Sequence, residues 1–244
     1  MIINNAVFNI VFSRLQNLRS RFAEIEKALH GSFLQGECLP IPDDAPVEVP
    51  RMRFTSTHAH SLLTITGASI QLVSNFDQNY YNNIDICYEY ISIKSKTLLN
   101  IISGVIKEPF LYCGLMINCS YYEIGNREPI QFMMDRFVNF AINNKPIEAA
   151  TRMVFPIQDM FYANIAFNAT KAYGGAVQMN SSLLHNQKLG DVLQLTLDVN
   201  DRYAFNFKEN YYSSSEAVEK VFDISKDLLV KKVPEFLANG GITL

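Results

Sequence analysis

Charge is scarce in this chain. Asp, Glu, Lys and Arg together make up 18% of its 244 residues, against about 25% in ordinary globular domains. A surface with so few charges either leaves apolar patches that end in an interface, or replaces charge with neutral polar side chains such as Asn and Tyr. Both readings stay open at this stage. One class is disfavoured: the net charge is −3, and a dedicated nucleic-acid binder would carry a strongly basic face. The nearest basic group, Lys226, Lys231 and Lys232, falls near the end of the last predicted helix, where cations suit the C-terminus.

Cysteine usage is equally sparse, and the four residues do not read as a disulfide frame. Cys113 and Cys119 share one apparent strand six residues apart, so their Cα atoms should lie about 20 Å apart, beyond bridging range. Cys87 falls in a predicted helix and Cys38 in a loop, and no C-x-x-C spacing occurs. No apolar run approaches the roughly 18 residues that span a bilayer; Leu98–Ile106 is the nearest. Met1–Phe12 lacks a basic leader segment and a small-residue cleavage site. A reduced, cytoplasmic protein without a membrane span is expected.

Chemical motifs are also missing. There is no G-x-S-x-G elbow, no G-x-x-x-x-G-K-[ST] and no G-x-G-x-x-G. Gly174-Gly175 reads as a turn. His58 and His60 would share a strand face but lack a third ligand at a telling spacing, and neither His30 nor His185 supplies one. A polar hairpin tip accounts for both. Asp85 and Glu89, at i and i+4, read as a solvated helix face. No catalytic residue, cofactor or metal ligand is assigned. The weak binding candidates are Arg51 and Arg53, which alternate onto one strand face and could clamp a phosphate or carboxylate or simply guard an edge. Tyr80 and Tyr88 are candidates for lining a groove.

Aromatics are the enriched class, with 17 Phe and 12 Tyr but no Trp. Phe76, Tyr80, Tyr81, Tyr88 and Tyr90 crowd the entry to one long predicted helix; Tyr203, Phe205, Phe207, Tyr211 and Tyr212 precede another. Tyr offers apolar area with a polar tip and is favoured at interfaces, although core packing suits most of these rings.

Hydrophobic periodicity supplies the architecture. Ala6–Phe12 reads as a strand, and Leu15, Leu18, Phe22, Ile25 and Leu29 form a helical stripe that Gly31 ends. Gly36–Pro50, with four prolines, reads as an extended surface loop. Strands at Arg51–Ser56, Leu62–Thr66 and Ser69–Ser74 form a predicted antiparallel meander, followed by a long helix over about Gln78–Ile106. Glu108-Pro109 marks a boundary. Phe110–Tyr122 is then a strand, and Asn126–Pro129 opens a helix through Ile130–Ala141. Strands follow at Arg152–Pro156, Phe161–Ala169, Val177–Ser181 and Val192–Val199. A capping box at Ser213 and Glu216 opens a final helix that runs to about Leu237, and Gly240-Gly241 stops it.

The order strand, helix, three or four strands, long helix thus appears twice, in halves 1–108 and 109–244. The expected fold is α+β: a single pseudo-duplicated domain, with a mainly antiparallel sheet carrying two long helices on one face. Two separate small sheets are the alternative. A groove between Gln78–Ile106 and Ser214–Leu237 is the expected place for a ligand.

The segments Asn5–Phe12, Pro50–Ser56, Leu63–Leu72, Asn75-Phe76 leading to Tyr80, and Gly114–Asn118 resemble a sporadically distributed bacterial family of unknown function. The likeness covers mainly Asn5 to about Asn118, rests on structural segments and carries over no catalytic residue. Patchy distribution often accompanies mobile or anti-phage defence loci, so the resemblance implies that setting. The function expected is that of a non-enzymatic protein-binding or accessory protein. It would act through an aromatic-lined groove on a partner encoded nearby and assemble as a homo-oligomer. The alternative is an enzyme or phosphate- or nucleotide-type sensor built from scattered residues.

Overall fold

The computed structural model describes residues 1–42, 44–122, 124, 127–138, 144, 146–173 and 188–241. The first strand, β1 (Ile2–Phe12), buries Ala6, Phe8, Ile10 and Phe12 on one face and leaves Asn5, Val7, Asn9 and Val11 half-exposed on the other. This period-two pattern marks a sheet covered on one side. The apolar stripe after it is not one helix. Asn17 takes a left-handed conformation, φ 54°, before a short 3₁₀ turn at Leu18–Arg21, and α1 proper spans Phe22–Leu29. Left-handed geometry cannot continue a right-handed helix, so Leu15 and Leu18 are buried from the lead-in.

Within the proline-rich loop lies an unanticipated two-residue strand, β2 (Glu37–Cys38). β3 (Met52–Thr55), β4 (Ser61–Ile65) and β5 (Ser69–Asn75) form the expected antiparallel meander. The long helix, α2, covers Ile84–Val105, starting six residues later than the periodicity implied. Asn83 sets that start, its side chain accepting from the Ile86 N–H at 3.1 Å.

In the second half, β6 (Phe110–Tyr121) precedes α3 (Pro129–Phe137), which opens on proline, where the missing N–H costs nothing. β7 (Ala149–Ile157), β8 (Phe161–Tyr173) and β9 (Lys188–Asn200) follow. The expected strand at Val177–Ser181, the Gly174-Gly175 turn, His185, Asn126 and Ala141 lie outside the described residues. A short helix that was not anticipated, α4 (Arg202–Phe207), comes next, then α5 (Ser215–Asp227), a π turn at Leu228–Lys232 and α6 (Val233–Asn239). Pro234 cannot donate to the preceding turn, a physical reason for the irregular winding just before it. Gly240, at φ 82°, ends α6 as expected. The cap of α5 is shifted by one residue. Ser214 accepts from the Ala217 N–H at 3.2 Å, while the Ser213 hydroxyl turns to the Cys113 sulfur at 3.3 Å.

The strands form one antiparallel sheet in the order β2-β3-β4-β5-β1-β6-β9-β8-β7, so the fold is α+β with a single large sheet. On its covered face the Phe8 ring lies 5.7 Å from Phe222 of α5, and Tyr88 of α2 meets Phe222 edge-on at 5.9 Å. The Tyr88 hydroxyl donates to the Phe222 carbonyl. Lys226 lies 3.7 Å from Asp85, and Lys96 lies 3.9 Å from Glu219. Along this line α2 and α5 are in contact, so the groove expected between them is closed there by direct packing. No helix among the described residues is long and apolar enough to cross a membrane.

Two measurements check this account. Phe8 is 1% exposed, so Phe8→Ala should cost about 3–5 kcal/mol in a denaturant titration. Ser214→Ala should cost about 1 kcal/mol, and more than Ser213→Ala, because only the former removes a helix cap. The reverse ranking would contradict the observed cap.

Candidate functional site

The connection from β3 to β4 and the lead-in to α2 converge on one pocket. In the turn, Ala59 adopts φ 58° and its N–H reaches the Ser56 carbonyl at 2.8 Å. This holds His58 and His60 at the hairpin tip. Opposite them, residues 76–83 are wound by their own backbone: the N–H groups of Tyr80 and Tyr81 both reach the Asp77 carbonyl, at 3.1 and 3.0 Å. The lead-in is tied to β1 where the Ile3 N–H donates to the Tyr81 carbonyl at 3.0 Å. Tyr90, one helical turn beyond Ile86, is anchored through its hydroxyl to Ser61 at 2.9 Å, and Ser61 in turn bonds Ser74 at 2.7 Å.

The result is a cavity of about 310 Å³ lined by His58, His60, Phe76, Tyr80, Ile86 and Tyr90. The His60 ring stands nearly perpendicular to Tyr80 and to Tyr90, at 81° and 82°, and Phe76 meets Tyr90 at 85°. Edge-to-face contacts of this kind each contribute about 0.5–1.5 kcal/mol beyond area burial, so the walls are set before anything binds. Tyr80 and Ile86 are 41% and 48% exposed at its rim. An apolar box with a few polar tips suits an aliphatic or aromatic group.

The four residues singled out from sequence have separate fates. Tyr80 lines this pocket. Tyr88 does not: it is buried against Phe222, and burial with the nearby Asp223 carboxylate pushes its phenol far above the usual range. Arg51 is 4% exposed and spends its guanidinium on the carbonyls of Val49, Ala45 and Pro46, at 2.8, 3.0 and 3.3 Å, whereas Arg53 is exposed on β3. Their different surroundings give no shared clamp. Arg51 instead meets Arg14 in a polar cavity of about 400 Å³ that Gln16, Asn17, Val47 and Gly67 also line.

His58 and His60 do sit at a hairpin tip, and their role there is as walls. Among the described residues no group of three His, Cys, Asp or Glu side chains is placed to hold a metal ion. The four cysteines are free. Cys38 is exposed, while Cys87, Cys113 and Cys119 are buried. Burial pushes the Cys87 thiol up to about 11 and the Cys119 thiol to about 12, and raises Cys113 further, with Asp201 adding to the effect. Thiols held neutral in this way are poor nucleophiles at neutral pH.

Comparison with models of known protein families and with curated proteins finds no match.

Two further features were invisible in sequence. A cavity of about 270 Å³ lies between the β7–β8 turn, at Gln158 and Met160, and the start of α5, at Tyr211, Ser214, Glu216, Ala217 and Lys220. It too lies between a hairpin turn and the start of a helix, and its lining is more polar than that of the aromatic pocket. Its wall is braced by the fully buried Asp201, which accepts from the Cys113 N–H at 2.6 Å and the Tyr211 hydroxyl at 2.7 Å.

The second feature is the amide lattice on the uncovered sheet face. Asn118 donates to Asn5 at 2.7 Å and accepts from Thr196 at 2.7 Å. Asp198 accepts from Asn200 and Asn164, both at 3.1 Å, and Arg152 reaches Asn164 at 3.0 Å. Loss of hydration raises the Asp198 carboxyl above its ordinary 3.8, with Asn200 and Arg152 pulling the other way. A raised native value means that the folded state holds the proton more tightly. Stability from this group is therefore full below 3.8 and is lost as pH rises through the native value. Asp198→Asn should remove that downward component from a stability–pH curve. Parallel curves for the two proteins just above pH 3.8 would refute the assignment.

Proposed function

We propose that this chain is a non-enzymatic binding protein that receives an apolar or aromatic group of a protein partner in the pocket formed by Phe76, Tyr80, Ile86 and Tyr90. The carrying observation is that the pocket is braced before binding, through the Tyr90–Ser61–Ser74 hydroxyl chain and the perpendicular rings around His60. Preorganised aromatic walls lower the ordering cost of association. The resemblance adds a bacterial, defence-associated setting and a partner encoded nearby.

We infer further that the halves 1–108 and 109–244 are related by pseudo-symmetry within one domain, with α2 and the α5–α6 run on the same face. Supporting this, the order β3-β4-β5-β1 on one side of the sheet is answered by β7-β8-β9-β6 on the other. The two cavities between hairpin and helix fit the same relation. Divergence of their linings, one aromatic and one more polar, favours the first half as the partner-binding one.

A second reading follows from the cavity that holds Arg14 and Arg51: a sensor of a phosphate-bearing metabolite. The two readings separate experimentally. Capture from the native host should retain a partner with the wild-type chain and lose it with Tyr80→Ser and Ile86→Ser, both at rim positions whose change leaves the melting temperature within a few degrees. A melting temperature raised by inorganic phosphate or nucleotides, and lost with Arg14→Gln, would instead support the sensor. A partner retained equally by wild type and both rim variants would remove the aromatic pocket from consideration.

A further inference from the structure

The two rims of the sheet are treated differently. At one rim stands β2, two residues long and set in a loop that carries Pro40, Pro42, Pro46 and Pro50. Short strands and prolines are the usual means of keeping an edge from pairing with another chain. At the other rim stands β7, nine residues long, and among the described residues its only strand partner is β8. It carries one charge, Arg152, and one proline, Pro156, near its end. Val154 is 48% exposed, Met153, Phe155 and Ile157 are half-exposed, and Ile147 just ahead of the strand is 74% exposed. A long, largely apolar edge of this kind is a site for strand addition.

The direction of its outer backbone groups follows from the hairpin. The Ile157 carbonyl accepts from the Met160 N–H at 3.1 Å, so it faces β8. Backbone direction alternates along a strand, so the N–H and C=O groups of Ala150, Arg152 and Val154 face outward. Pro156 falls on the same outward set, where its missing N–H breaks no bond to β8.

We propose that this edge pairs antiparallel with the β7 edge of a second copy of this chain, about a two-fold axis at Met153. Self-pairing about a two-fold axis brings the same seam against itself, so both edges are satisfied by one closed contact. Overlap and charge together select the register: Met153 is the centre of the nine-residue strand, so an axis there pairs it along its whole length. An axis at Arg152 would set two guanidinium groups directly opposite each other, which is unfavourable across a strand pair. With the axis at Met153, Arg152 stands opposite Val154 of the partner subunit, Thr151 opposite Phe155 of the partner subunit, and Ala149 opposite Ile157 of the partner subunit. The two Met153 side chains meet on the axis at a pair without hydrogen bonds, the closer kind of pair. This interface is separate from the aromatic pocket, so neither proposal depends on the other.

Sedimentation velocity on the full chain over a wide concentration range is the primary test. A reversible dimer is expected. Val154→Lys places a lysine opposite Arg152 of the partner subunit at both ends of the seam, and should weaken the dimer by about tenfold or more. Because Val154 is half-exposed, far-UV circular dichroism should be unchanged. In a Cys38→Ser chain, Met153→Cys should give a covalent dimer on mild oxidation, while Thr151→Cys, held away from its own copy by the register, should not. A wild-type chain that stays monomeric at every concentration overturns the proposal, as does a dimer indifferent to Val154→Lys. Cross-linking through position 151 but not 153 overturns the register and its charge argument.

Discussion

Because β1 and β6 are aligned antiparallel over ten residue pairs at the middle of the sheet, neither half of this chain has a free inner edge. Everything else follows from that pairing. It joins the first meander to the second, so the helices need only one continuous platform. It also brings Phe8 within reach of Phe222, more than two hundred residues later in the chain. A broken β1–β6 ladder would leave each strand with one unpaired edge beside buried side chains, Phe8 and Ile10 on β1 and Leu115 and Ile117 on β6. Non-local contacts of this length are slow to form, because the loop between them must be closed before the contact rewards it.

A sheet that buries one face and leaves the other partly exposed meets a second constraint. Its other side must be polar enough to stay wet, yet its side chains stand too close together for many like charges. Amides and hydroxyls meet both demands, each offering donor and acceptor to the next strand. Asn5, Asn118, Thr196, Asn164 and Asn200 occupy that face in register. The low charge content of the chain is thereby accounted for in part: neutral polar residues occupy positions where many proteins place Lys and Glu. Asp198, held among amides with Arg152 nearby, shows what a charge costs there, since loss of hydration raises its carboxyl above its ordinary value.

Strong periodicity was legible and local geometry was not. β1, the meander, α2, β6 and β9 follow from alternation or from three-and-four spacing, because burial on one face imposes those patterns. The start of α1 was missed since a single left-handed residue, Asn17, interrupts a stripe that reads as continuous. β2 was missed because two residues carry no periodicity, and the π turn because its cause, Pro234, also suits an ordinary helix start. For the site, the crowd of aromatics before α2 was visible, but their division was not. Tyr88 and Tyr90 look alike in sequence; the helix turns one toward Phe222 and the other toward the hairpin. The amide lattice could not be anticipated at all, because it depends on register between strands far apart in the chain, such as Asn5 opposite Asn118 and Asn118 opposite Thr196.

The contrast among the sulfurs has a practical side. Three thiols are buried and held protonated, while Cys38 stands exposed on β2. A maleimide or spin label added to the native chain should therefore go to one address, without any engineering of the sequence. That address lies on the rim farthest in strand order from β7. The molecule thus carries its own reporter position at the opposite end of the sheet from its long edge strand.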